Sequence, residues 1–429
     1  MKLLPYWQDT ATPFAGADRG PLGGPLGGKV DAVVIGGGFT GLSAALALAR
    51  SGASVVLLEA GRVAAGASGR NGGHVNNGTA HDFTGLAASL GLDQARRLYH
   101  AFDAAVDTVE RIVAEEAIDC SFRRCGKIKL AAKPQHFDKL AASFEILHRE
   151  ADPDTRLIAR DNIRAEVGSD LYYGGLLYEK SAQMHMGRFG AGLAAAAARA
   201  GARIFEDTPV TGLKRLHGRA HRVETPRGTI EAAQVLVATG PSQQGPFGFF
   251  RRRIVAVGSF IVATEPLSQA QLDSIMPGRR NGTTSRIIGH YFRISPDDRL
   301  IWGGRARFAM SNPTSDAKSG RILEAGLHEA FPQLGRPRID YCWGGLVDMT
   351  ADRLPRAGEH EGLLYSMGYS GHGAQMSVHM GQTMAAVMGG RADANPLREL
   401  PWPVVPGHFG PAWFLPLVGL YFGIKDRFQ

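Results

Sequence analysis

The sequence predicts an α/β chain of two domains interleaved along its length. One is a Rossmann-like nucleotide-binding domain on a parallel sheet, and the other is built on an antiparallel sheet. Three observations carry this reading. A strand, a glycine turn with G-x-G-x-x-G spacing and a helix follow one another from Val30. Two further strand-to-glycine turns occur at Val235 to Gly240 and at Leu363 to Gly373. Between them lie long strand candidates with turn signals, which suit an antiparallel sheet better than a doubly wound one.

Val30 to Ile35 is short, β-branched and almost wholly apolar, as expected of a strand buried on both faces of a parallel sheet. Gly36 permits the tight turn, Gly38 lets backbone approach a pyrophosphate, and Gly41 lets the helix pack closely on the strand. The helix from Leu42 to Ser51 presents free N–H groups and a positive dipole end to phosphate. A second strand, Ser54 to Leu58, ends on Glu59, which can accept hydrogen bonds from both hydroxyls of an adenosine ribose. A carboxylate there repels a 2′-phosphate, so the unit reads as binding FAD or NAD and not NADP. Strand, helix and acid together make the glycine motif specific.

Residues 1–29 read as an arm ending in a Gly-Pro-Leu near-repeat from Gly20 to Gly28. Ala65 to His74 is dense in small residues, with Ser68, Arg70 and Asn71 among them; it suits backbone packed on a ligand, or else a surface loop. Leu92 to Ile118 is an amphipathic helix with a core stripe of Leu98, Phe102, Val106, Val109 and Val113. A strand at Lys127 to Ala132, a helix from Pro134 and a strand at Leu171 to Tyr178 come next. Gly187 to Ala200 is a helix, then Ala202 to Glu206 and Val210 to Leu216 are strands. His221 to Thr225 and Thr229 to Ala232 form a hairpin, and Val235 to Gly240 a separate buried strand. Ile254 to Thr264, Arg286 to Ile294 and Leu300 to Phe308 are the antiparallel strands. Leu363 to Met367 and a helix from Ala374 to Met388 flank the last glycine turn, whose helix N-terminus can stabilise negative charge.

At 429 residues, with 44% hydrophobic and 21% charged residues, the chain can bury a large core. The three cysteines, Cys120, Cys125 and Cys342, have no metal spacing and suggest no disulfide framework, so a reducing compartment and a cytoplasmic location are expected. Pro5, Gln8 and Asp9 interrupt any signal-peptide core. The net charge of +8 is scattered apart from Arg251-Arg252-Arg253, without the aromatic interleaving of a nucleic-acid face.

With these segments in place, the chain from Val30 to Met388 resembles the FAD-dependent amine and amino acid oxidases of the D-amino acid oxidase family. Gly66 to Gly73 resembles the family's second FAD segment; Thr350 to Pro355 and Gly368 to Gly373 resemble its C-terminal flavin motif. Ser68 to Gly73, Trp343-Gly344-Gly345 and Gly371-His372-Gly373 point to its gamma-glutamylputrescine oxidoreductase branch. The resemblance implies non-covalent FAD and oxidation of an amine C–N bond to an imine, with hydride passing to flavin N5 and water then releasing an aldehyde. It implies a FAD-binding domain at 30–90, 182–245 and 345–400, a substrate domain at 91–181 and 246–344, and an apolar tail at 401–429. Gly36, Gly38, Phe39, Thr40 and Gly41 would hold the pyrophosphate, and Glu59 with Ala60 the adenosine. Ser68, Gly69, Arg70, Asn71, Gly72 and Gly73 would line the ribityl chain and ring, Val210 would contact adenine through its backbone, and Gly240 joins the cofactor-binding residues. Gly371, His372 and Gly373 would aim a helix dipole at the flavin ring.

The expected partners are a small-molecule amine and either O2 or another electron acceptor. His74 and His372 are candidates for biasing the amine towards its neutral form, since histidine titrates in the right range. Tyr291 and Trp343 are candidate walls and Arg305 an anionic anchor, although aromatics on strands are more often core. Gln375 stands where carboxylate-binding relatives place a lysine, Gly345 where sarcosine oxidases carry the flavin-linking cysteine, and Ile301 and Trp302 where they carry an oxygen-activating lysine. Alternatives are a dehydrogenase of the same fold, an enzyme of N-methyl or D-amino acids, or a FAD-bound subunit of a larger oxidase. The apolar tail from Pro411 to Ile424 is too short to span a bilayer, which takes ~20 residues; it is expected to pack on its own domain, with a membrane surface or partner as the other fates.

Overall fold

A computed structural model describes residues 1–18, 28–242, 244–307, 309–410 and 412–428. In chain order its helices and strands are α1 (Tyr6–Asp9), β1 (Lys29–Ile35), α2 (Phe39–Arg50), β2 (Val55–Leu58), β3 (His74–Val75), α3 (Phe83–Leu90), α4 (Leu92–Glu115), β4 (Arg123–Arg124), β5 (Lys127–Leu130), α5 (Pro134–Glu150), β6 (Arg156–Ala159), β7 (Gly174–Tyr178) and β8 (Ala182–Gln183). There follow α6 (Met186–Arg199), β9 (Arg203–Phe205), β10 (Gly212–His217), β11 (Ala220–Thr225), β12 (Gly228–Val237), α7 (Gly248–Arg251), β13 (Val255–Pro266), α8 (Gln269–Ile275), β14 (Asn281–Thr284) and β15 (His290–Ile294). The chain closes with β16 (Arg299–Gly304), α9 (Pro313–Ala330), β17 (Ile339–Met349), β18 (Arg356–His360), β19 (Leu363–Met367), α10 (Gly373–Met388) and α11 (Leu415–Phe428).

The first sheet has a parallel centre in the order β9-β2-β1-β12-β19. Successive residues of β1 bury opposite faces, as the apolar run predicts. Ala32 and Val34 pack with α2, α6 and α10, while Val33 and Ile35 pack with Phe247 and Phe250. The two strands expected at 229–232 and 235–240 are the single strand β12. Its first half pairs antiparallel with β11 and its second half parallel with β19, and no glycine or proline interrupts it.

The second sheet runs β17-β13-β16-β15-β14-β5-β7-β6 and is antiparallel except where β14 meets β5. Its period-two alternation decides what faces the site. Phe292, Ile294 and Trp302 turn to the cluster under α8 and α9, and Tyr291 turns to the other face with the first domain. The strand expected from Arg286 begins only at His290, because residues 285–289 form a turn in which the His290 N–H donates to Thr284 Oγ1 at 2.9 Å. The boundary expected between 344 and 345 falls inside β17, and α4 packs on α3 and on α10 of the first domain.

The N-terminal arm is built into the core. Trp7 is fully buried and donates its indole N–H to the Asn71 carbonyl at 2.6 Å, while Tyr6 donates to Asp297 Oδ1 at 2.5 Å. Most of the Gly-Pro-Leu near-repeat lies outside the described residues.

Candidate active site

Close approach builds the first glycine turn. Gly36 has φ +111°, and a Cβ there would stand 2.5 Å from the Ala238 carbonyl oxygen. At Gly41 a Cβ would stand 1.9 Å from the Gly36 carbonyl oxygen, so α2 reaches β1 only through glycine. The Glu59 carboxylate accepts the Gly37 N–H at 2.6 Å and the Gly61 N–H at 2.8 Å. A carboxylate has about four acceptor sites, so further capacity remains for a ribose. Ser68 Oγ accepts the Phe39 N–H at 3.0 Å and ties the second segment to the start of α2.

Its own side chains and one from a distant strand fix that second segment. Asn71 Nδ2 donates to the Ser68 carbonyl at 2.8 Å, and its Oδ1 accepts the Gly73 N–H at 2.9 Å. Arg70 reaches across to β17, donating to the Gly344 carbonyl at 2.8 Å. Arg293, fully buried, donates to the Gly73 and Met184 carbonyls at 2.6 and 2.8 Å. Gly72 lies against Tyr291, whose ring a Cβ would approach to 2.6 Å.

These segments line one cavity of about 1090 Å³. Gly36, Gly38, Phe39, Thr40, Glu59, Ala60, Ser68, Arg70, Asn71, Gly72, Val210, Gly240, Gly371, His372 and Gly373 all border it, as do His74, Tyr291, Arg305 and Gln375. Four expected residues do not. Gly41 and Gly69 are packing positions, the latter with a Cβ site 2.2 Å from the Ala64 carbonyl oxygen, and Gly73 sits behind the wall against Arg293 and Trp7. Trp343 is core and not a wall. It shares its face of β17 with Gly345 but lies deeper, 1% exposed, and its indole N–H donates to the Arg70 carbonyl at 3.0 Å.

Along the cavity lining, the His74 and Tyr291 rings meet edge to face at 5.5 Å, and the Tyr291 and Ser259 hydroxyls are 3.0 Å apart. His74 Nε2 and His372 Nδ1 are buried without a hydrogen-bond partner. Burial pushes both imidazoles down to about 3, helped by Arg293 at His74 and by Lys127 at His372. The expectation that they titrate near neutrality is therefore corrected: desolvation disfavours the imidazolium and both stay neutral. Gln375 donates its amide N–H to the Asn76 carbonyl. Burial also lowers Arg305, to about 10, with Arg353 beside it adding to the effect.

Reading the residues in order misses Asp348 and Arg293, and reaches Arg353 only as part of the segment 350–355. Asp348 Oδ2 accepts the Gly368 N–H at 2.6 Å and steadies the third glycine turn; burial raises it to about 6. Arg353 lines the cavity with Nε buried and without a hydrogen-bond partner. Arg293 did leave a signal, as a charged residue between Phe292 and Ile294 in a strand candidate. No cysteine lines the cavity among the described residues: Cys342 is buried and donates to the Asp316 carbonyl.

A glycine cradle that a Cβ would fill, an acid at the tip of β2 and two helix N-termini on one cavity fit a flavin dinucleotide and point to a flavin-dependent oxidoreductase. A profile of the family described as FAD dependent oxidoreductase (DAO) matches residues 31–387, and the chain belongs to that family. FAD is accordingly its cofactor. The chain is 32% identical to gamma-glutamylputrescine oxidoreductase of Escherichia coli over 402 residues, covering 92% of this chain and 93% of that one. It is 32% identical to the probable oxidoreductase OrdL of Haemophilus influenzae over 366 residues, covering 84% and 83%. The crystal structure of glycine oxidase from Geobacillus kaustophilus shares the fold with a TM-score of 0.70 at 19% identity, covering 89% of this chain and 98% of that one.

Proposed function

We propose that this protein oxidises the C–N bond of a primary or secondary amine at the end of an alkyl chain to an imine, which water hydrolyses to an aldehyde. The substrate class is that of polyamine derivatives such as gamma-glutamylputrescine. Bound FAD supplies the two-electron acceptor for the hydride leaving the carbon next to nitrogen.

The observation that carries this reading is the fate of the position after the third glycine turn. Gln375 is buried, and its amide is engaged by the Asn76 carbonyl, so no cation is offered there to an α-carboxylate. A carboxylate buried without a cation is costly, which favours an amine on an unsubstituted methylene. The surroundings that keep His74 and His372 neutral likewise favour the neutral amine, the form that gives up hydride. Tyr291, fixed by Ser259, walls the site. Arg305 and Arg353 line the same cavity, make no salt bridge among the described residues, and suit a carboxylate on the far end of such a substrate.

The test is anaerobic stopped-flow reduction of the holoenzyme by putrescine, spermidine and gamma-glutamylputrescine, set against sarcosine, glycine and D-amino acids. Terminal alkylamines should bleach the flavin fastest and yield an aldehyde. Rapid bleaching by sarcosine or a D-amino acid, with none by the amines, overturns the reading.

A further inference from the structure

Helix α11 leaves an apolar stripe uncovered. Leu417, Leu420, Tyr421 and Ile424 fall at i, i+3, i+4 and i+7, the spacing of one helix face, and are 64%, 65%, 59% and 52% exposed. Trp413, 70% exposed, continues the stripe ahead of the helix. The helix is nevertheless held at both ends. Leu415 is buried against Val255 and Val257, and Asp426 Oδ1 accepts the Ile287 N–H at 2.9 Å. Ile287 and the exposed Arg286 line the cavity, so α11 borders its rim. The expected packing of the tail on its own domain thus holds for its anchors and not for this face.

Charge and area select the occupant. Arg286 at one end of the helix, Lys425 within it and exposed Arg252, near the Val255 that holds Leu415, form no salt bridge among the described residues. The one acid of α11, Asp426, is engaged by the body, and the whole chain carries +8. A helix of 14 residues is about 21 Å long and ~10 Å wide, so its stripe offers roughly 200 Å². That is about a quarter of the ~800 Å² per partner in a stable protein interface. A bilayer needs no such complementary area, accepts leucine and isoleucine into its acyl boundary, and favours Trp and Tyr at headgroup level. No described helix is long and apolar enough to cross a membrane.

We propose that α11 docks this protein on an anionic bilayer surface, lying in the interface with the rim of the cavity beside the lipid. The inference stands apart from the choice of amine, because its test reads binding and not turnover.

The experiment is co-sedimentation of the FAD-loaded full chain with vesicles of phosphatidylglycerol and phosphatidylcholine, or of phosphatidylcholine alone, at low and high salt. Binding to the anionic vesicles should exceed binding to the neutral ones by at least about tenfold and weaken with salt. Leu417→Ser/Leu420→Ser/Ile424→Ser should lose at least about tenfold of it with unchanged flavin content and thermal melting. Lys425→Glu, a change that leaves the apolar stripe intact, should lower binding severalfold. Absence of wild-type binding to anionic vesicles, or equal binding by the triple variant, overturns the proposal. So does a wild-type dimer in light scattering that the triple variant abolishes, which assigns the stripe to a second copy.

Discussion

Replacing Gly41 with alanine tests how the nucleotide cradle is built. The new Cβ would stand 1.9 Å from the Gly36 carbonyl oxygen and 3.2 Å from Val34 Cγ1. Ordinary contact begins near 3.4 Å, so the start of α2 must retreat by about 1.5 Å from the glycine turn. Overpacking of this kind costs about 1–3 kcal/mol of stability. The larger effect falls on the cofactor. A retreat of that size stretches a normal N–H to phosphate hydrogen bond beyond reach, and each bond to a charged group is worth about 1.5–3 kcal/mol. Losing two weakens FAD binding by about 3–6 kcal/mol, or two to four orders of magnitude in Kd. The assay is quenching of flavin fluorescence on titrating apoprotein, with thermal melting of the apoprotein as the control for folding. Wild-type Kd in a folded Gly41→Ala protein would show that the first turn of α2 does not hold the pyrophosphate.

Other outcomes follow from the same geometry. Glu59→Arg removes the acceptor for the Gly37 and Gly61 N–H groups as well as for a ribose, so flavin occupancy after dialysis should fall sharply while the second sheet stays folded; unchanged occupancy would refute the ribose role. Acid precipitation should release FAD into the supernatant, because no described cysteine lines the cavity; fluorescence retained by the denatured chain would point to a link through His74. Arg305→Leu should lower kcat/KM about 10–100-fold for an amine carrying a remote carboxylate and leave a plain diamine nearly unaffected, as expected for one charge-assisted contact. Asp348 is raised to about 6 by burial, so its ionisation costs stability: the contribution is full below about pH 4 and is lost as pH rises through 6, by about 3 kcal/mol. Asp348→Asn keeps an acceptor for the Gly368 N–H, so the wild-type minus variant melting difference should change between pH 4 and 7 and be flat outside that window; parallel curves would exclude a buried, titrating carboxylate.

Contiguous residues alone determined the parallel strands, the glycine turns, the acid after β2 and, with them, the cofactor class. These features are legible because their physics is local. A strand buried on both faces is a continuous apolar run, and a backbone that must touch a carbonyl or a phosphate needs glycine at a set spacing. The tertiary structure decided the rest, since burial is a sum over neighbours far apart in the chain. Arg293 meets Gly73 across 220 positions, and that contact, with the desolvation around it, helps keep His74 neutral. Trp343 and Tyr291 are both aromatics on strands, yet only Tyr291 lines the cavity, because depth along a strand depends on what packs across it. Trp7 belongs to what reads as an N-terminal arm and becomes core only through its contacts with Asn71, Gly73 and Gly187. The apolar tail shows most plainly where local reading ends: its composition says that it must be covered, and only the docking of Leu415 and Asp426 decides which face is left open.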